Sequence, residues 1–128
     1  MPHITLEYSA NLEGRLDIAK LCQVARKAAG STGVLDANAT RVRAIRCDHY
    51  AIADEHPDNG FVDGVVRIGQ KGRTHAERLA TGKAIYDAMR VYCAPLFETH
   101  YFALSLEIRE IDDVLSWKEN GIKPRLAK

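Results

Sequence analysis

Position 2 of the chain is a proline, followed at once by the alternating segment His3-Ile4-Thr5-Leu6-Glu7-Tyr8-Ser9. Removal of Met1, expected before so small a residue, would leave the Pro2 ring nitrogen as a free secondary amine, a base built into the start of a strand. Ile4, Leu6 and Tyr8 recur at period two, the pattern of a half-buried strand. A terminus tied into a sheet is held still where most termini fray. A plain structural reading stands beside this one, because proline at the unpaired start of a strand gives up no ladder hydrogen bond.

The other chemistry-bearing residues form looser sets. His49 and His56, with Asp48, Asp54 and Asp58, lack recognised ligand spacing and lie in a turn-rich polar stretch, so no metal is expected. The run Gly69-Gln70-Lys71-Gly72 departs from the Walker pattern, and its glycines suit a tight strand-to-helix turn. Cys22, Cys47 and Cys93 form no C-x-x-C pair. Cys22 and Cys93 fall on apolar helix faces, where cysteine usually serves as a small core residue.

With 128 residues and 14.2 kDa, the chain is expected to form a single domain over residues 1–128, small enough that further burial by oligomerisation would help. Lys and Arg number 18 against 17 Asp and Glu. This balance argues against a nucleic-acid binder relying on a broadly basic surface. No long apolar stretch suggests a membrane partner, and three unpaired cysteines with no leader segment suit a reduced cytoplasm.

Residues 11–14 read as a turn, and residues 17–29 place Ile18, Leu21, Cys22, Ala25, Ala28 and Ala29 at helical spacing. Asp17 is the candidate N-cap, and residues 30–33 supply the stop. Residues 41–47 alternate as a second strand, with arginines on one face and Val42, Ala44 and Ile45 to Cys47 mostly on the other. Residues 54–60 are the strongest turn cluster. The plan then repeats: a strand over 61–68, a loop over 69–73, and a helix opened by a Thr74/Glu77 capping box. Its stripe is Ala80, Ala84, Ile85, Ala88, Met89 and Tyr92, with Pro95 beyond its end; residues 102–108 make a fourth strand. Two βαβ halves, about 1–57 and 58–112 with a C-terminal tail, predict an α/β fold. It has one mixed four-stranded sheet, a pseudo-twofold between the halves, and two helices on one face. The opposite face is expected to be bare and apolar, which favours association with copies of the chain.

These features together resemble the tautomerase superfamily: a Met-Pro start entering a strand, duplicated βαβ halves, a second strand opening Arg41-Val42-Arg43, and the strand ending Ile68-Gly69 before a Gly-Arg loop. The Met-Pro-His opening and the segment Ala103-Leu104-Ser105-Leu106-Glu107-Ile108 resemble its 5-carboxymethyl-2-hydroxymuconate delta-isomerase branch. The resemblance implies a homotrimer whose sheets wrap a central channel, with each active site near the amino-terminal proline and close to a neighbouring chain. It implies no metal and no organic cofactor. It carries the catalytic proline onto Pro2, the arginine opening the second strand onto Arg41, and the loop arginine onto Arg73. The loop is one residue longer than expected for the branch, so Lys71 competes with Arg73 for the cationic role.

The implied reaction moves a proton within an unsaturated 2-hydroxy or 2-oxo polycarboxylic acid, as in catabolism of an aromatic acid such as homoprotocatechuate. One base can take the proton and return it. Burial and nearby arginines both disfavour a charged amine; a fall of about two units corresponds to about 2.7 kcal/mol and brings the base near working pH. Guanidinium groups hold carboxylates through two parallel hydrogen bonds and stabilise charge developing on a 2-oxo oxygen. Arg41 and Arg73 are the candidates, with Arg43 on the face of Arg41 a third. For Arg43 and Arg46 a solvated or subunit-bridging role is the alternative. Alternative functions are another tautomerase activity, a dehalogenase, which would need a water-activating acid near Pro2 that the sequence does not reveal, or a non-catalytic trimeric ligand-binding module. Trp117 and the basic tail residues Lys118, Lys123, Arg125 and Lys128 suit a subunit boundary or solvent equally.

Overall fold

The computed structural model describes residues 1–70 and 72–126. Strand β1 (His3–Ser9) lies inside a four-stranded sheet of order β2-β1-β3-β4. It runs parallel to β2 (Arg41–Cys47) from His3↔Arg41 to Ser9↔Cys47, and antiparallel to β3 (Asn59–Gly69) from His3↔Arg67 to Tyr8↔Val62. Strand β4 (Tyr101–Ile111) pairs parallel with β3. Helices α1 (Ile18–Ser31) and α2 (His75–Tyr92) provide the two parallel crossovers. The mixed sheet and the repeated βαβ unit are as the sequence predicts, with the antiparallel β1/β3 pair marking the pseudo-twofold.

Side chains alternate between faces along a strand. On one face Ile4, Leu6, Val62, Val66 and Ile68 are fully buried in a single cluster with Leu21, Ala25 and Ala29 of α1 and Ile85 and Met89 of α2. Both helix starts use the capping residues read from sequence. The Asp17 carboxylate accepts from the Lys20 N–H at 3.1 Å. In α2 the Glu77 N–H donates to Thr74 at 3.1 Å, and the Thr74 N–H donates back to the Glu77 carboxylate at 2.9 Å.

The buried line of α2 differs from the predicted stripe. Thr81, Ile85, Met89 and the capping Cys93 are fully buried, whereas Ala80 is exposed. Thr81 is admitted to the core because its hydroxyl donates to the Glu77 carbonyl at 2.9 Å and lies 3.2 Å from the Thr32 hydroxyl. Gly82 lets α2 approach β4, since a Cβ there would stand 2.8 Å from Ile108 Cδ1. Helix α1 also runs through Gly30, which packs on Ala37; the left-handed turn falls at Gly33, with φ of 76°. Two four-residue helices, α3 (Leu96–Thr99) and α4 (Lys123–Leu126), were absent from the sequence reading because one turn carries no periodicity.

The uncovered face corrects a second expectation. It carries Thr5 and Glu7 of β1, Asp63, Val65 and Arg67 of β3, and Ser105, Glu107 and Arg109 of β4, so it is polar and charged rather than apolar. On β2, Arg41 and Arg43 share that face with Ile45, half of which is exposed at 50%, while Arg46 alternates onto the helix side and pairs with Asp48 at 2.7 Å.

Replacing Ile85 by alanine removes a fully buried side chain from the point where both helices meet the sheet. It should cost about 2–5 kcal/mol in urea unfolding. Leu79→Ala, nearly two turns away on the exposed side, should change stability by less than about 0.5 kcal/mol.

Candidate active site

Pro2 is buried at the mouth of the sheet, and its carbonyl accepts the Arg41 backbone N–H at 3.0 Å, so the first rung of the β1/β2 ladder fixes the chain start against β2. The Arg41 guanidinium Nη1 donates to Met1 Sδ at 2.8 Å. Arg73, from the loop before α2, donates through Nη1 to the Gly69 carbonyl at 3.2 Å. Arg41 and Arg73 both lie close enough to the terminal amine to disfavour its charge. Three sequence candidates, Pro2, Arg41 and Arg73, therefore meet at the head of β1. Arg43 is more exposed and its Nη1 stands 3.3 Å from His3 Nδ1, one residue removed from the amine. Lys71 lies outside the described residues, as does Lys128.

A cleft of about 400 Å³ opens beside Met1. Met1, His3, Arg67 and Gly69 line it from the sheet, and Asp113, Trp117, Lys118 and Glu119 line it from the tail after β4. The tail returns through a tight turn on Asp112, whose carboxylate accepts from the Val114 and Leu115 N–H groups at 2.8 and 2.9 Å. The Ser116 hydroxyl donates to the Asp112 carbonyl at 2.6 Å. Pro2, Arg41 and Arg73 do not line this cleft directly; Met1 stands between Pro2 and the opening. A larger groove of about 580 Å³ runs between α2 and β4 past Leu79, Tyr86, Leu106 and Ile108, away from the chain start.

Burial, then the Lys118 ammonium, Arg73 and Arg41 lower the Met1 amine from 8.0 to about 6. At pH 7 it is therefore mostly neutral. His3 is held below its ordinary value by burial and then by Arg67, Arg43 and Arg41, so it adds little positive charge at neutral pH. The sequence reading missed four cleft residues. Arg67 is invisible there because only the β1/β3 register sets it opposite His3. Lys118, Asp113 and Glu119 were hidden because the tail's return depends on one Asp112 turn. The two acids stand in the cleft beside Met1, where the sequence revealed no acid.

Two βαβ halves about a pseudo-twofold, with the chain's first amine held beside two arginines, place this protein among the isomerases of the tautomerase superfamily. Residues 2–126 match the family model for 5-carboxymethyl-2-hydroxymuconate isomerase, and the chain belongs to that family. It is 32% identical to a solved 5-carboxymethyl-2-hydroxymuconate isomerase from Deinococcus radiodurans R1, covering 99% of this chain and 95% of that one with a TM-score of 0.88. A second solved structure, of a 5-carboxymethyl-2-hydroxymuconate delta-isomerase, is 31% identical over 100% of this chain and 94% of its own, with a TM-score of 0.87. The Escherichia coli 5-carboxymethyl-2-hydroxymuconate Delta-isomerase is 29% identical over 122 residues, 95% of this chain and 96% of the relative. Among the described residues, no helix is long and apolar enough to cross a membrane.

In protein that retains Met1, the terminal amine should titrate near 6, measured by the pH dependence of its reaction with an amine-selective reagent. Lys118→Ala should move the midpoint upward, toward 8.0, by removing the neighbouring ammonium. The sign for stability follows: between those values the unfolded chain binds more protons than the folded one, so folding gains stability as pH rises through the window.

Proposed function

We propose that the chain, with Met1 removed, is a cofactor-free isomerase in which the Pro2 amine carries a proton between two carbons of an unsaturated 2-hydroxy or 2-oxo polycarboxylate. The substrate is 5-carboxymethyl-2-hydroxymuconate, the compound in the relatives' names, met in cytoplasmic breakdown of an aromatic acid. The observation that carries the reading is the setting of the chain start: the Met1 amine, one residue before Pro2, is lowered by burial and then by Lys118, Arg73 and Arg41. A Pro2 amine freed in that setting would meet the same burial and the same cations, which disfavour its charged form and suit it to accept a proton from carbon.

The reaction begins with the neutral Pro2 nitrogen taking a proton from the carbon chain, leaving a dienolate whose charge spreads to the 2-oxygen. Arg41 and Arg73 hold that oxygen and the adjacent carboxylate, stabilising charge as it develops. The protonated proline then returns the proton at the far end of the conjugated system. In the unprocessed chain the Met1 thioether occupies the Arg41 donor at 2.8 Å, standing where a substrate oxygen would sit. Met1 thus blocks both the base and one of its cations. The family resemblance further supports a homotrimer, with exposed Val114, Leu115 and Trp117, at 81, 71 and 85%, available to a neighbouring chain.

Pro2→Ala should lower turnover of 5-carboxymethyl-2-hydroxymuconate, followed in the ultraviolet, by about 100-fold or more, with the circular dichroism spectrum unchanged. The rate should fall on the acid side as the proline protonates. Full activity in protein whose mass retains Met1 on every molecule would overturn the proposal, and equal rates with 2-hydroxymuconate would remove the substrate assignment alone. Light scattering should give three times the 14.2 kDa chain mass.

A further inference from the structure

The reaction at Pro2 accounts for Arg41 and Arg73, but leaves unused two cations, Arg67 and Lys118, that line the cleft beside Met1. Arg67 sits on β3 directly opposite His3, while Arg41 sits opposite His3 on β2, so the two arginines flank the head of β1 on the uncovered face. Their backbones are separated by two strand spacings, about 10 Å. Lys118 comes from the returning tail and stands beside the terminal amine. Among the described residues neither Arg67 nor Lys118 takes part in an ion pair. Asp113 shares the cleft with Arg67 and also reaches toward Gly69, where a Cβ would lie 3.8 Å from its Oδ1 and 3.6 Å from Arg73 Nη1, without forming an ion pair with Arg67 among the described residues. Asp113 and Glu119 put negative charge on the tail side, so an entering anion is drawn to Arg67 on the sheet and to Lys118.

We infer that Arg67, assisted by Lys118, forms a second anion subsite that receives an additional carboxylate of a tricarboxylate substrate, one that a linear dicarboxylate lacks. The inference rests on the proposed reaction for its substrate but not for its charge. Arg41 and Arg73 engage the end of the molecule where the proton moves, and Arg67 selects among acids by the branch they carry. Arginine suits the task because its planar fork meets a carboxylate with two donors and cannot lose its charge. Arg67 does not touch the reacting atoms, so it sets which acid binds and not how fast a bound acid reacts.

Arg67→Gln and Lys118→Gln are compared with the parent protein, all with Met1 removed and with thermal melts confirming the fold. Two readouts are used: turnover of 5-carboxymethyl-2-hydroxymuconate against 2-hydroxymuconate, and calorimetric binding of propane-1,2,3-tricarboxylate against glutarate. Arg67→Gln should weaken the tricarboxylate by about tenfold or more, through KM and not kcat, and change glutarate less than about twofold. Lys118→Gln should weaken the tricarboxylate to a smaller degree and also move the pH profile of turnover upward, because Lys118 neighbours the terminal amine, and Arg67→Lys should recover part of the Arg67→Gln loss. Equal weakening of both acids, or none of either, overturns the subsite. A parent that isomerises the substrate while Arg67→Gln is indifferent to the branch leaves the proposed reaction standing and removes the subsite. A parent that turns over neither compound, yet loses the tricarboxylate selectively on Arg67→Gln, removes the reaction and keeps the subsite.

Discussion

Burial of one face of β1 is the constraint on which the rest of the molecule depends. Ile4 and Leu6 are fully buried and Tyr8 nearly so, each beneath the helices, and the strand is bonded along both edges. A slip of one residue would turn all three toward water, so the hydrophobic cost of moving this strand pins the chain start. The far end is locked as well. The buried Ser9 hydroxyl accepts the Phe61 N–H at 3.0 Å and donates to Asn11 at 2.7 Å, and Asn11 in turn donates to the Asn59 carbonyl at 2.7 Å. A base at the head of such a strand is positioned by packing it does not itself contribute.

Electrostatics follow from the same register. At the level of His3 the paired residues run Arg41, His3, Arg67 and Arg109 across the four strands, so three arginines stand in one row at the mouth of the site. Four residues further along β1 the opposed pair is Glu7 and Asp63, with Ser105 donating to Asp63 at 2.6 Å. The uncovered face is thus divided into a cationic end beside the amine and an acidic end away from it. A polyanion approaching this face is drawn to the end where the chemistry lies. The cations that attract it also depress the amine and His3, so affinity and basicity share a cause.

Much of the architecture was legible because local chemistry and tertiary need agree. Strands β1 and β2 begin where alternation begins, and the Thr74/Glu77 box forms both of its bonds. The departures have definite causes. The α2 stripe was misplaced because Thr81 counts as polar in a sequence, and only its bond to the Glu77 carbonyl makes it a core residue. Gly30 read as a stop, yet α1 runs on to Ser31, and the glycine is there because a Cβ would stand 2.8 Å from Ala37 Cβ. The uncovered face looked apolar on paper because strand residues were assigned to a core without knowing which side the helices cover.

By itself the sequence determined the repeated βαβ plan and singled out Pro2, because period-two and helical spacing are local properties and a proline amine is a property of one residue. It brought in Arg41 and Arg73 through their family positions. Only the tertiary structure decided that Arg67 and the tail's Lys118, Asp113 and Glu119 join the same cleft. Their approach depends on the β1/β3 register and on a tail that folds back over the sheet, long-range contacts set by burial that no stretch of neighbouring residues encodes.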